Sequence, residues 1–227
     1  MLLVGSYLLQ TAITYMARNI SDFENIALPP KKQPPHKILN PVLKVDATSK
    51  ESWTLVDIET GKTRQIKDPE ENQELLKNIA WDLGFQRTKI ITNSGATNPE
   101  GKVKALDLGP VDFDSVKDIP SKGYVKDQRK WGKILNPALS NWYNYRTRTH
   151  NVESKKNVYL IKTARGIYAK FKILNYYCTH EETDCSSVMC DRNEAACLTI
   201  EYVMQKNNSF PLTSTSSQNS FQKAALP

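Results

Sequence analysis

The four cysteines of the 227-residue chain lie close together in sequence, as Cys178, Cys185, Cys190 and Cys197. Their spacing is C-x6-C-x4-C-x6-C, whereas a structural zinc site usually has a tight C-x2-4-C pair. An even number of clustered cysteines in a loop is more typical of two disulfides, which form in oxidising compartments. We therefore expect an exported protein, with a zinc site and free thiols as the two alternatives.

Catalytic signatures are absent from the sequence. It has no G-x-S-x-G motif, no H-E-x-x-H motif, no P-loop and no dinucleotide-binding glycine motif. Only three histidines are present, of which His36 lies in a proline-rich stretch and His180 in the cysteine segment. We therefore expect a binding protein rather than an enzyme.

Composition and charge fit a soluble protein with a substantial core. The chain is 39% hydrophobic and 24% charged, which suits one domain with tails. A net charge of +7 permits contact with anionic partners. Because the lysines and arginines are spread along the chain, we expect solvated faces and no nucleic-acid binding.

The two ends of the sequence differ in character from the middle. Residues 1–17 are apolar but too short for a convincing membrane span, and they lack a basic start. We favour a signal-like segment; the hydrophobic part of a longer signal and an amphipathic or tail-buried helix are the alternatives. Residues 18–41 include four prolines within residues 29–35 and are predicted to be a linker. Residues 206–227 are rich in Ser, Thr, Asn and Gln and are predicted to be disordered.

The middle of the chain, residues 42–205, has the alternating apolar pattern of β-strands. Turn residues at 59–62 and 163–166 separate neighbouring strands. The predicted fold is all-β, with antiparallel sheets in a sandwich-like arrangement and little helix. The clearest strand positions are Trp53, Leu55, Trp81, Leu83, Phe85, Val158–Ile161, Ala169, Phe171, Ile173, Leu198, Ile200 and Tyr202.

One short helix is predicted after residue 68. Asp68 is suited to the N-cap and Pro69 to the first helical position. Leu75 and Leu76 are expected to anchor this helix to the core.

The cysteine segment lies between the last two predicted strands. Cys178 ends one strand and Cys197 begins the next, and opposed residues at the base of a hairpin approach closely enough for a disulfide. We therefore predict the nested pairs Cys178–Cys197 and Cys185–Cys190, which would staple the hairpin loop. The other two connectivities remain open.

Several segments in the domain form an ordered set. They are the Trp53 strand with its turn at 60–62, WDLGFQR at 81–87 followed by TNSG at 92–95, FD at 113–114, PSKGY at 120–124, VYLIKT at 158–163, YAKFKI at 168–173 with YY at 176–177, and LTIEY at 198–202. In this order, over about residues 45–205, they resemble the HmuY-like haem-binding family.

That resemblance implies an all-β bacterial protein that is exported and binds haem for iron or haem acquisition. It implies haem as cofactor, and haem, a haem-carrying protein or an outer-membrane haem receptor as partners. Known members use two axial histidines or methionines from the region before and around the late strand pair. The stretch 124–142 contains neither residue type, so a bis-histidine site cannot be carried over.

The remaining side chains suited to haem iron are few, since iron is held by His, Met, Cys or Tyr. The ligand candidates are His150, Tyr145, Tyr143, His180 and Met189, with Arg146 and Arg148 as partners for the propionates. For each of them, packing or solvent exposure is the simpler role. No metal other than haem iron is expected.

The expected function is that of an exported, haemophore-like haem-binding protein in the periplasm, at the cell surface or outside the cell. The alternative is a β-rich cell-surface interaction domain of the same fold that has lost haem binding. The missing ligand pair favours this alternative.

The state of the cysteines can be tested by alkylating the protein without reductant and measuring its intact mass. If two disulfides are present, the mass does not change until reductant is added. Modification of all four cysteines before reduction would contradict both disulfides and the argument for export.

Overall fold

The computed structural model describes residues 40–177, 189–206 and 209–210, all within one compact unit, Ile38–Pro227. The apolar segment 1–17, nearly all of the linker 18–41 and most of the tail 206–227 lie outside the described residues. None of the helices in the described part is both long and apolar enough to cross a membrane.

Strands dominate the described residues, as the sequence predicts. One α-helix, α1 (Gln73–Asn78), and one 3-10 helix (Arg192–Glu194) accompany them. In chain order the strands are β1 (Val42–Asp46), β2 (Trp53–Val56), β3 (Thr63–Ile66), β4 (Leu83–Gln86), β5 (Lys89–Thr92), β6 (Lys104–Asp107), β7 (Gln128–Lys130), β8 (Lys133–Leu135), β9 (Tyr143–Arg146), β10 (Asn151–Ser154), β11 (Val158–Lys162), β12 (Tyr168–Tyr177) and β13 (Ala195–Met204).

Two antiparallel sheets form the body of the domain. The first has the order β1-β13-β12-β11-β6 and the second the order β3-β2-β4-β5. Strands β7 and β8 form a separate hairpin, as do β9 and β10. The two hairpins follow one another in the chain between β6 and β11.

The main core contains side chains from both sheets. Phe171, Ile173 and Ile200 of the first sheet belong to the same buried cluster as Leu83 and Phe85 of the second. The alternation along β4, β12 and β13 therefore places the predicted residues inside, as in a sandwich. Trp81 is an exception: it precedes β4 and packs in a second cluster with Leu55, Ile66, Leu76 and Ile91.

The other face of the first sheet is also buried, although the alternation places two lysines on it. Lys170 is 1% exposed, and its Nζ donates to the carbonyl oxygens of Phe113 (2.6 Å) and Val116 (2.9 Å). The same nitrogen lies 5.6 Å from the ring centre of Phe210, a buried residue of the predicted tail. Hydrogen bonds from a charged donor thus make this burial tolerable.

Helix α1 differs from its prediction. It begins after Asn72 rather than at Asp68, whose carboxylate instead accepts a hydrogen bond from the amide of Glu70. Leu76 is fully buried as predicted, but Leu75 is 38% exposed. A helix of six residues presents only one side chain of an adjacent pair to the core.

The two sheets are joined by Asp82, which is 2% exposed. Its carboxylate accepts hydrogen bonds from the amides of Ile58 (3.0 Å) and Ala164 (2.8 Å), in the β2–β3 and β11–β12 turns. Arg165 of the second turn also pairs with Asp57 of the first, at 2.8 Å. Burial raises the pKa of Asp82 to about 6, and the two amide hydrogen bonds offset only part of that effect.

We predict that Asp82 makes the wild-type protein less stable as the pH rises from about 4 to about 7. Because its pKa is higher in the folded state than in the unfolded state, the folded protein binds more protons in this range. The free energy of unfolding therefore falls as the carboxyl ionises.

Asp82→Asn cannot ionise and keeps one acceptor oxygen. Denaturant unfolding should show the variant to be less stable at low pH. The difference in the free energy of unfolding between variant and wild type should become smaller as the pH rises. Asp46, an exposed aspartate of β1, offers a matched control as Asp46→Asn. A gap that stays constant over this range would contradict the prediction.

Candidate functional site

The β9–β10 hairpin, which carries five of the candidate ligand and propionate residues, has its base in the main core. Trp142 directly precedes β9, is fully buried and donates from its indole nitrogen to the carbonyl of Thr88 at 2.9 Å. Its ring lies 5.1 Å from that of Tyr143 and 6.0 Å from that of Tyr176. The aromatic contacts fix the point where the hairpin leaves the body.

Strand β10 attaches the hairpin to β12. The amide of Val152 donates to the Tyr177 hydroxyl at 3.0 Å, and the Ser154 hydroxyl donates to the Ile173 carbonyl at 2.5 Å. All four residues of β10 are buried. The returning strand is therefore held in place, whereas the turn between the two strands faces solvent.

A tyrosine–histidine pair lies at this turn. The hydroxyl oxygen of Tyr145 and Nδ1 of His150 are 2.7 Å apart, so they share a hydrogen bond. Tyr145 is 54% exposed and His150 is also exposed. Which atom donates depends on the imidazole tautomer. In either case the hydrogen bond orients the ring and does not use Nε2.

The other aromatic and basic candidates differ in their surroundings. Tyr143 is half-buried against Trp142, which fits the packing role. Arg146 forms an ion pair from Nε to the Glu153 carboxylate at 2.7 Å, while Arg148 is exposed in the turn. Arg148 is therefore the more accessible partner for an anionic ligand.

Met189 is brought next to the hairpin by a contact that sequence reasoning missed. The amide of Cys190 donates to the side-chain oxygen of Asn151 at 3.0 Å, and Asn151 is 2% exposed. Asn151 directly follows His150, and Met189, which is 53% exposed, directly precedes Cys190. Nothing in the sequence around Asn151 indicated this contact, because it joins residues far apart in the chain.

His180, Cys178 and Cys185 lie outside the described residues. Both predicted disulfides include one of these cysteines, so Cys178–Cys197 and Cys185–Cys190 stay predictions. In the described part of the chain, neither Cys190 nor Cys197 is a free thiol.

A shallow depression of about 370 Å³ lies elsewhere, around the β2–β3 hairpin. Its lining includes none of the candidate haem residues; it is formed by Leu55, Asp57, Thr60, Lys62, Thr63, Arg64, Ile79, Ala80 and Arg165. Among residues 40–177, 189–206 and 209–210, no group of three His, Cys, Asp or Glu residues is arranged to hold a metal ion.

Comparison with known proteins identifies the family of this β-sandwich. The HmuY protein family model matches residues 49–187, which is more than half of the chain. The chain therefore belongs to the HmuY family.

Two solved structures have the same fold. The apo HmuY analog (TFO) of Tannerella forsythia is 20% identical, with a TM-score of 0.55 over 74% of this chain and 96% of that one. Apo PinO from Porphyromonas gingivitis is 16% identical, with a TM-score of 0.52 over 73% and 97%. The search of curated proteins gave no match.

We predict that Asn151→Ala detaches the Met189–Cys190 segment from the hairpin. The change removes the acceptor for the Cys190 amide and leaves buried polar groups unsatisfied, at a cost of about 1–3 kcal/mol in stability. Hydrogen exchange should then be faster at Cys190. Asn144→Ala, at an exposed position of β9, is the matched control. It should change neither the stability nor the hydrogen-exchange rate at Cys190. Unaltered protection of Cys190 in Asn151→Ala would contradict the contact.

Proposed function

We propose that this protein is an exported, haemophore-like haem-binding protein without catalytic activity, and that its iron ligand is His150. The observation that carries the proposal is the hydrogen bond between Tyr145 and Nδ1 of His150 at the exposed end of the β9–β10 hairpin. Family membership is the second support, since haem is the typical ligand of HmuY-like proteins.

The donor set fits haem iron. A histidine that binds a metal through Nε2 usually donates its Nδ1 hydrogen to an oxygen acceptor, which fixes the ring and raises its basicity. The phenol oxygen of Tyr145 is in place to be that acceptor, at 2.7 Å. When bound, haem would supply an iron centre with axial positions open to side-chain ligands.

Met189 is the proposed second ligand. Its neighbour Cys190 is tied to Asn151, the residue after His150, and a thioether combined with imidazole is an established axial pair. Arg148, which is exposed, is proposed to pair with a propionate. Arg146 can contribute only through nitrogens other than the Nε that binds Glu153.

Export and partners follow from the same reasoning. The cysteine cluster and the signal-like segment 1–17 support an oxidising location outside the cytoplasm. We propose delivery of haem from a haem-carrying protein, with an outer-membrane haem receptor as a further partner. The predicted Cys185–Cys190 disulfide would restrain Met189, the residue before Cys190.

One observation favours the second candidate function, a cell-surface interaction domain that no longer binds haem. Tyr145 in β9 and His150 in the following turn are both exposed, and the 370 Å³ depression is formed by other residues. Haem sites are usually enclosed by apolar walls. A family member that keeps the sandwich but lacks such walls could bind another protein instead.

We predict saturable binding of haemin with a shift of its Soret band. Titrations of the oxidised and the dithionite-reduced complex distinguish the imidazole of His150 from the thioether of Met189, because a thioether binds ferrous iron better than ferric iron. If no saturable shift appears in either state, the haem proposal is wrong and the interaction domain is favoured.

Three variants assign the ligands. His150→Ala should change the Soret position, Met189→Leu should mainly affect the reduced complex, and Tyr145→Phe should weaken binding by about 10–100-fold. Tyr143→Phe is the control, because Tyr143 packs on Trp142. A complex lost in Tyr145→Phe but retained in His150→Ala would make the phenol oxygen the ligand and overturn the assignment.

A further inference from the structure

The β7–β8 hairpin carries the most exposed large hydrophobic side chain among the described residues. Trp131 is 88% exposed, and each residue from 128 to 133 is exposed. Trp131 and Gly132 form the two-residue turn between β7 and β8. An isolated apolar side chain at a surface is ordinary, but a tryptophan in a two-residue hairpin turn is unusual.

The turn is unfavourable for tryptophan. Both turn residues have positive φ, 49° at Trp131 and 74° at Gly132, and hairpin turns of this kind favour Asn, Asp or Gly at both positions. A side chain with a Cβ is strained at such a φ. The turn geometry therefore does not explain a tryptophan here, and this strain together with the exposure of the ring points to a role outside the fold.

The base of the hairpin is held rigidly. Asp127, the residue before β7, is 4% exposed and accepts hydrogen bonds from Thr92, Thr97 and Asn136 at 2.5–2.9 Å. Ile134 of β8 packs against the cluster that contains Trp81. The tip is thus presented on a fixed support, so little conformational entropy would be lost on binding.

The side chains around Trp131 are positively charged. Lys126, Lys130 and Lys133 are exposed, and Nζ of Lys130 lies 4.7 Å from the centre of the indole ring. The nearby acids do not cancel this charge, because Asp127 is buried in its network and Glu70 is engaged by Arg129 at 2.7 Å. The tip combines one large aromatic ring with two cations, Lys130 and Lys133, and Lys126 adds a third positive charge near the base, where its Nζ donates to the carbonyl oxygen of Gly101 at 3.4 Å.

We propose that this hairpin docks the protein onto an anionic lipid surface. Tryptophan is enriched at the boundary between headgroups and acyl chains, and lysines near a membrane are attracted to anionic headgroups. A protein partner is less well matched, because lysine is depleted at protein–protein interfaces. The proposal is independent of haem binding.

The test uses the full chain without haem and two kinds of vesicle, pure phosphatidylcholine and phosphatidylcholine mixed with phosphatidylglycerol. Co-sedimentation should show binding to the anionic vesicles that weakens with salt. Bromine-labelled phosphatidylcholine in the same vesicles should quench tryptophan emission, since Trp81 and Trp142 are buried, Trp53 is half-buried and Trp131 is the most exposed of the four rings.

Trp131→Asn separates docking from folding. Asparagine suits the positive φ, so thermal stability should be equal to or higher than that of the wild type. Affinity for anionic vesicles should fall about tenfold or more, and the bromine quenching should be lost. The apolar segment 1–17 is common to all variants, so differences between them report on the hairpin.

Charge is tested by the double variant Lys130→Gln, Lys133→Gln, which should lower affinity about fivefold for each lysine. The matched control, Lys62→Gln with Arg64→Gln, removes the same charge from exposed positions at the β2–β3 hairpin and should have a much smaller effect. Equal losses in both double variants, equal binding to neutral vesicles, or unchanged affinity in Trp131→Asn would each overturn the proposal. If Trp131→Asn instead loses binding to an acidic protein but not to vesicles, the partner is a protein.

Discussion

A buried carboxylate, Asp127, holds the β7–β8 hairpin and the loop after β5 in place. It accepts hydrogen bonds from Thr92 at the end of β5, from Thr97 in the following loop and from Asn136 after β8. Burial raises its pKa, and the hydrogen bonds to its charged form oppose that shift. Removing such a carboxylate would leave several buried donors without an acceptor. One side chain therefore links the second sheet to both ends of the β7–β8 hairpin.

Close backbone packing completes this support. Gly95 has φ 55°, and a Cβ there would lie 2.2 Å from the carbonyl oxygen of Asp127. The asparagine- and glycine-containing loop after WDLGFQR is therefore structural in this chain. The same holds for the block itself, in which Trp81 fills the second cluster and Asp82 joins the two sheets. These residues, which carry much of the family resemblance, therefore serve the fold.

Strands were predictable because apolar residues alternate along β2, β4, β12 and β13, and because β11 is a continuous apolar run that is buried on both faces. Lys170 is buried although the alternation places it on the outer face of the first sheet. The loop that contains Phe113 and Val116 covers this face, and no local sequence pattern predicts that contact. The helix start was misplaced because Asp68 closes a local turn instead of capping α1. Positive φ at Trp131 was equally invisible, since a Trp-Gly pair lacks the usual Asn-Gly signature of a tight hairpin turn.

The candidate site could be drawn from the sequence only in part. His150 and Tyr145 were candidates because iron ligands belong to few residue types, and their role as ligands stays a prediction. Their hydrogen bond and the link from Cys190 to Asn151 required the hairpin and the chain between Cys190 and β13 to be placed in space. His150 also has a positive φ, 56°, as does Trp131, yet so does Arg87 in the β4–β5 turn. Positive φ alone therefore does not mark function. What distinguishes Trp131 and His150 is that both side chains are exposed on hairpins with buried polar anchors, an arrangement that holds a binding group rigid while leaving it accessible.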